Sequence, residues 1–258
     1  MSDAFDPLSS FRLDGKVVIL TGASSGLGAR FARVLDALGA TTVLAARRVD
    51  RLTELASSLR RAESVACDVG VSGANEDLVA HVMATHGRLD AVIANAGISN
   101  PVPAVKEDPE AFRHVVNIDL VAPYALARAA VSSMRAGGNG GSIVMVSSVA
   151  AFVSTPFLPQ AGYVAAKAGL AGLTRELATQ WSRYNIRVNA LCPGMFPSEM
   201  TSEVVENAAI KGAFEGAIPL RRLGDTHELD GALAFLVSGA SSYMTGQTLV
   251  VDGGLATQ

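Results

Sequence analysis

The chain has little cysteine, no marked excess of charge and no uninterrupted apolar run, and each shortage removes a class of protein. Among 258 residues the only cysteines are Cys67 and Cys192. Far apart, they form neither a metal-binding spacing nor a redox pair, and they read as small core residues with no metal site expected. A net charge of −3, with the basic residues scattered, leaves no footprint for nucleic acid. Although 49% of the residues are hydrophobic, Lys, Arg, Asp and Glu interrupt every stretch long enough to cross a bilayer, so no membrane partner is expected. Met1 to Pro7 are acidic and lack the apolar core of a secretory signal, which makes the cytoplasm the expected compartment. Neither repeat nor low-complexity linker divides the chain, and one domain over residues 1–258 is expected.

What is present is an alternation. Lys16 to Leu20 is an apolar run of strand composition, followed by Thr21-Gly22-Ala23-Ser24-Ser25-Gly26-Leu27-Gly28 and an amphipathic helix to about Leu38. Glycines between a strand and a helix let the backbone approach a pyrophosphate, whose charge the free N–H groups of the helix N-terminus can hold. Further strands are expected at Thr41–Ala46, Ser64–Val69, Asp90–Ala94, Ser142–Ser148, Ile186–Leu191 and Thr248–Val251, with helices between them. Seven apolar strands alternating with helices predict an α/β, doubly wound, Rossmann-like fold on a mostly parallel sheet. A long helix is expected from about Pro109 to Arg135. An irregular stretch with one helix near Thr201 to Lys211 predicts a substrate lid at about 195–223.

The chemistry concentrates between Ser142 and Leu173. Tyr163 and Lys167 are four positions apart on a predicted helix and so share one face, which sets an ammonium beside a phenol. A phenol titrates near ~10, and a neighbouring cation is expected to lower that value and suit the group to general acid/base work. At the end of the second strand, where a dinucleotide fold often keeps an acid for the ribose 2′-hydroxyl, stand Ala46, Arg47 and Arg48. An Arg fork there suits a phosphate, predicting NADP(H) over NAD(H).

With those residues in place the chain resembles the short-chain dehydrogenase/reductase family from about Leu13 to Gly254. The resemblance rests on Thr21 to Gly28, Asn95-Ala96-Gly97, Asn117, Ser148, Tyr163 with Lys167, Pro193-Gly194 and Val251-Asp252-Gly253-Gly254. It implies hydride transfer between nicotinamide and a ketone or secondary alcohol. Tyr163 would then be the acid/base and Ser148 the holder of the substrate oxygen. Lys167 would both lower the tyrosine and bind the nicotinamide ribose, and Asn117 would help hold a relay water. By the same resemblance Gly22, Ser24, Ser25, Gly26, Leu27 and Gly28 would cradle the diphosphate, and Asp68 and Val69 would flank adenine. Asn95, Ala96 and Gly97 would lie near the adenosine ribose, and Pro193, Gly194 and Ser198 near the carboxamide. It also implies a homotetramer, in keeping with the small residues Ala166, Gly169 and Gly172 on the helix after Tyr163. Phe152, Val153, Phe157, Met195 and Phe196 are expected to line an apolar substrate site, which suits a small neutral carbonyl or alcohol. Two other functions fit the same pattern: a 3-oxoacyl-carrier-protein reductase, for which Arg135 is the one basic residue before the catalytic strand, and a catalytically silent nucleotide-sensing regulator.

Overall fold

The computed structural model describes residues 6–257. Seven strands form one sheet: β1 (Val17–Thr21), β2 (Thr41–Ala46), β3 (Ala62–Ala66), β4 (Ala91–Ala94), β5 (Gly141–Val146), β6 (Ile186–Pro193) and β7 (Thr248–Val251). Their order is β3-β2-β1-β4-β5-β6-β7, with every neighbouring pair parallel. The order reverses between β1 and β4, and a crevice opens there at the carboxyl ends of the strands.

Because side chains alternate across a strand, each strand feeds two cores. Ile19, Val43, Val92, Ile143 and Val188 face one side, under α3 (Ala74–His86), α5 (Ala122–Gly137) and α6 (Ala161–Trp181). Val18, Leu20, Leu44, Ile93 and Val144 face the other, under α1 (Gly26–Leu38), α2 (Val49–Ser57) and α9 (Asp230–Val237). Burial on both faces is why the strands read as continuous apolar runs.

Three elements differ from the sequence expectation. The long helix is α4 (Pro109–Val116) and α5 joined through a π-helical turn at Asn117–Val121. The stretch 195–223, expected to carry one helix, carries two, α7 (Ser202–Glu206) and α8 (Ala208–Ala217), because Asn207 breaks the run and accepts from the N–H groups of Ala209 and Ile210. The edge strand β3 starts two residues earlier than expected, at the polar Ala62-Glu63 pair, since an edge needs no apolar run. The continuous run Pro109–Gly137 is long and apolar enough to cross a membrane, yet half of its apolar window is buried inside the protein.

Candidate active site

Three turns at the crevice position the site. Between β1 and α1 the chain turns through Gly22 and Gly26, both at positive φ (67° and 51°). A Cβ on Gly28 would collide with the Gly22 carbonyl, so the turn closes only with glycine there. Ser25, the N-cap of α1, makes no side-chain cap and no acid occupies the first turn, so the helix N-terminus presents its N–H groups and positive dipole end to the crevice. The second turn, Asn95-Ala96-Gly97, is fastened to the first. Thr21 Oγ1 accepts from the N–H of Asn95 (3.1 Å) and of Ala96 (3.2 Å), while Asn95 Nδ2 donates to Thr21 O (2.9 Å).

The third turn follows β5. Ser148 caps a short 3₁₀ turn, its Oγ accepting from Ala150 N at 3.1 Å, and it also bonds the Tyr163 phenol. Tyr163 opens α6, and Lys167 stands one turn on, its Nζ 5.4 Å from the Tyr163 ring centre. Ser147 is structural, donating to Lys167 O at 2.9 Å. Lys167 is buried, donates to Val146 O at 3.0 Å and pairs with Asp119 Oδ2 at 3.1 Å.

The electrostatics correct the expectation for Tyr163. Burial pushes the phenol above its ordinary value, and the opposing Lys167 ammonium and the Ser148 hydrogen bond offset that only in part. Burial pulls the Lys167 ammonium toward neutrality, but Asp119, then Tyr163, outweigh it, and its value rises. Cys192, behind the pair, is a buried thiol that burial pushes up, as expected of a core cysteine.

One cleft of about 640 Å³ joins these parts. It is lined by Gly22, Ser24, Ser25, Gly26, Leu27, Gly28, Arg47, Asp68, Val69, Asn95, Ala96, Gly97, Ser148, Tyr163, Lys167, Pro193, Gly194 and Ser198, so nearly every residue singled out from sequence meets there. Asn117 does not line it; its Nδ2 donates to Gly70 O at 3.0 Å, beside the loop after β3. Ser198 lines the cleft, but its hydroxyl is engaged in a capping box with Thr201. Of the apolar residues expected around the substrate, only Phe196 lines the cleft. Val153, Phe157 and Met195 pack with Phe214 in a satellite cluster under the lid, and Phe152 is half exposed, because the apolar lid helices need a core of their own. Arg135 ends α5, at the opposite end of the sheet from the cleft, with its guanidinium 4.1 Å from the Tyr184 ring centre.

Sequence reasoning passed over three participants: it named Arg48 only beside Arg47, and Glu199 and Asp119 not at all. Arg48, rather than Arg47, bonds Ser24 Oγ (3.2 Å) and Ser25 Oγ (2.6 Å). Glu199 of the lid pairs with Arg48 (2.9 Å) and with Arg51, and those guanidiniums hold its carboxyl down at about 2. Asp119 is the third; its signal was a carboxylate within the apolar run Ile118 to Val121. Among the described residues no cluster of His, Cys, Asp and Glu suited to a metal occurs.

The profile of the family described as Enoyl-(Acyl carrier protein) reductase matches residues 22–256. The chain is 32% identical to the D-arabinitol 2-dehydrogenase [ribulose-forming] of Candida albicans over 264 residues, covering 95% of this chain and 94% of that protein. It is 34% identical to the 3-oxoacyl-[acyl-carrier-protein] reductase of Rickettsia prowazekii, covering 94% and 98%. The crystal structure of a gluconate 5-dehydrogenase from Burkholderia cenocepacia in complex with NADP and tartrate superposes with a TM-score of 0.92 at 31% identity, covering 98% of this chain and 100% of that one. A nicotinamide-dependent oxidoreductase acting on C–OH and C=O groups is the class that fold and site define. The chain belongs to the short-chain dehydrogenase/reductase family.

Proposed function

We propose that this protein interconverts a small ketone and its secondary alcohol with NADP(H) in preference to NAD(H), Tyr163 being the acid/base. The observation that carries the reading is the convergence of Ser148, Tyr163 and Lys167 on the cleft that also holds the glycine turn. The glycine turn and the open N-terminus of α1 fit a dinucleotide diphosphate, since a side chain at Gly28 would fill the cradle. When bound, the dinucleotide supplies or accepts the hydride.

In reduction, Ser148 would donate a hydrogen bond to the substrate oxygen while keeping its proton, its own oxygen already accepting from Ala150 N. Tyr163 protonates that oxygen as charge develops on it; burial keeps the phenol in its donor form at neutral pH. In oxidation the phenolate takes the proton back, with Lys167 beside it to stabilise the charge. Lys167 would also hold the nicotinamide ribose. Asn117, whose Nδ2 is engaged at Gly70, has its amide oxygen left to hold a relay water. Asp68, Val69 and Ser198 line the same cleft, where the first two would hold the adenine and the third the carboxamide.

Ser99, His114, Ser202 and Glu203 line the cleft among Ile98, Pro101 and Met200, which favours a small hydroxylated substrate over a long acyl chain. Arg135 lies at the far end of the sheet, so the one basic residue before the catalytic strand gives an acidic carrier protein no dock at the cleft. The protein is proposed to work in the cytoplasm as a homotetramer, residues 195–223 closing over the substrate.

Cofactor choice tests the reading. Arg48 bridges Ser24 and Ser25 beside Ala46 and Arg47; β2 itself ends without an acid, and the carboxylate that faces Arg48 is Glu199 from the stretch after β6, which a 2′-phosphate would have to displace. A hydrogen bond to a charged group contributes about 1.5 to 3 kcal/mol, a preference of about ten- to a hundredfold. The kcat/KM for NADPH should lead that for NADH by this factor with one shared ketone, and Arg48→Ala should remove most of the lead. Equal values in the parent protein overturn the preference.

A further inference from the structure

Asp119 is a carboxylate with no solvent exposure, in an apolar turn, and hydride transfer as described above gives it no role. Its two oxygens are divided between two parts of the site. Oδ1 accepts from Ile98 N at 2.9 Å; Oδ2 has the Lys167 ammonium at 3.1 Å and no other partner. An ammonium has three protons. Val146 O accepts one of them at 3.0 Å. Asp119 Oδ2 stands at ion-pair distance, 3.1 Å, without hydrogen-bond geometry, so it acts on the ammonium through charge, and Lys167 still lines the cleft. Gly97 completes the enclosure: a Cβ there would stand 3.0 Å from Asp119 Oδ2 and 3.4 Å from Lys167 Nζ, so the backbone after β4 closes directly over the pair.

We propose that Asp119 is a positioning residue for the reaction: it keeps the Lys167 ammonium charged and aimed into the cleft, and through Ile98 N it ties that ammonium to the dinucleotide-binding turn. This rests on the roles assigned above to Tyr163 and Lys167. The physical reason is desolvation. A buried ammonium with no counter-charge loses its proton more easily, and breaking one partner out of a buried pair leaves the other uncompensated. The groups whose charge reaches Lys167 are Asp119 from the π turn, Tyr163 on its own helix and Cys192 from β6, with His114 of α4 at the cleft rim. Only Asp119 among them brings a full negative charge into contact. The π turn is what makes the arrangement feasible, since it directs Asn117 toward Gly70 and Asp119 toward Ile98 and Lys167 within three residues.

Asp119→Asn is the test. The amide has one acceptor oxygen, so it can serve Ile98 N or Lys167 but not both, and it carries no charge. The expected result is a kcat about tenfold lower at neutral pH with the KM for the ketone within threefold. The alkaline limb of the kcat profile should also move down by about one pH unit or more, a shift that follows from the weaker hold on the proton. Asp119→Ser keeps an acceptor for Ile98 N without charge and should show the same displaced limb, which covers the case where the Asn variant does not fold. A second readout needs no turnover: the ¹⁵N signal of the Lys167 ammonium, assigned with Lys167→Arg, should titrate at lower pH in either variant than in the parent. Should Tyr163 prove dispensable, that titration still decides the role of Asp119. Superimposable titrations and pH profiles, with only thermal stability reduced, overturn the proposal.

Discussion

Asp90 shows at the scale of one residue how ends of the sheet far from the chemistry are fixed. It is 12% exposed and accepts from Arg88 Nε (2.8 Å) and Nη2 (2.7 Å), from Val17 N (2.9 Å) and from Lys16 Nζ (3.3 Å), so it joins the starts of β1 and β4. Burial alone would raise its value, but Arg88, Val17 N and Lys16 outweigh burial and hold the carboxyl below the usual range. A depressed folded-state value means that the stability it contributes is present above the ordinary value near ~3.9 and is lost as pH falls through the folded one. Asp90→Asn should therefore cost about 2 kcal/mol at neutral pH, with the gap to the parent closing below about pH 4. Denaturant titrations at both pH values check this; a gap as wide in acid as at neutrality would show that the charge is irrelevant. Residues whose chemistry depends on local spacing, such as Tyr163 with Lys167, Ser148 and the Gly22 to Gly28 turn, were legible in the sequence. Glu199 and Asp119 were not, because their partners are 148 and 48 residues away along the chain for the Arg51–Glu199 and Asp119–Lys167 pairs, and only the fold joins them.

At the scale of elements, strands buried on both faces announced themselves as apolar runs, while β3, at the edge and partly exposed, was read a few residues late. The π turn was invisible because one extra residue per turn does not disturb a helical apolar pattern over so short a span. Yet that turn decides where Asn117 and Asp119 point. The break at Asn207 did carry a signal, an Asn in N-cap position, whose side chain takes the first free N–H groups of α8. Glu199, in the stretch proposed as a lid, pairs with Arg48 and Arg51. That contact places the lid beside the Ser24 and Ser25 turn that binds Arg48. Helices α7 and α8 pack through Val204 and Phe214 in a satellite cluster with Ile218, Val149 and Leu255, which meets the sheet at Val250 of β7.

For the whole molecule, the outer faces of α5 and α6 leave Val121 and Tyr124 exposed (49% and 40%), next to exposed Ala165 and Ala168. A surface of that kind favours self-association, the basis of the proposed tetramer. Gly172 distinguishes association from packing within one chain. A Cβ there meets only Arg175, at 3.9 Å, so Gly172→Leu fits the single chain, and Leu is the better helix former by about 1 kcal/mol. The variant should keep its fold while its assembly weakens, as read by sedimentation. A parent protein that sediments as a monomer at micromolar concentration would defeat the proposal. The central claim is that the Tyr163 hydroxyl moves the proton that accompanies hydride transfer. Its most direct test is kcat for NADPH-linked reduction, followed by loss of the reduced-nicotinamide absorbance with the best ketone from a panel, in the parent and in Tyr163→Phe. Removing a general acid costs about 10² to 10⁴ in rate. The account requires a fall of that size with NADPH affinity within about threefold; a Tyr163→Phe enzyme turning over within a few-fold of the parent would contradict it.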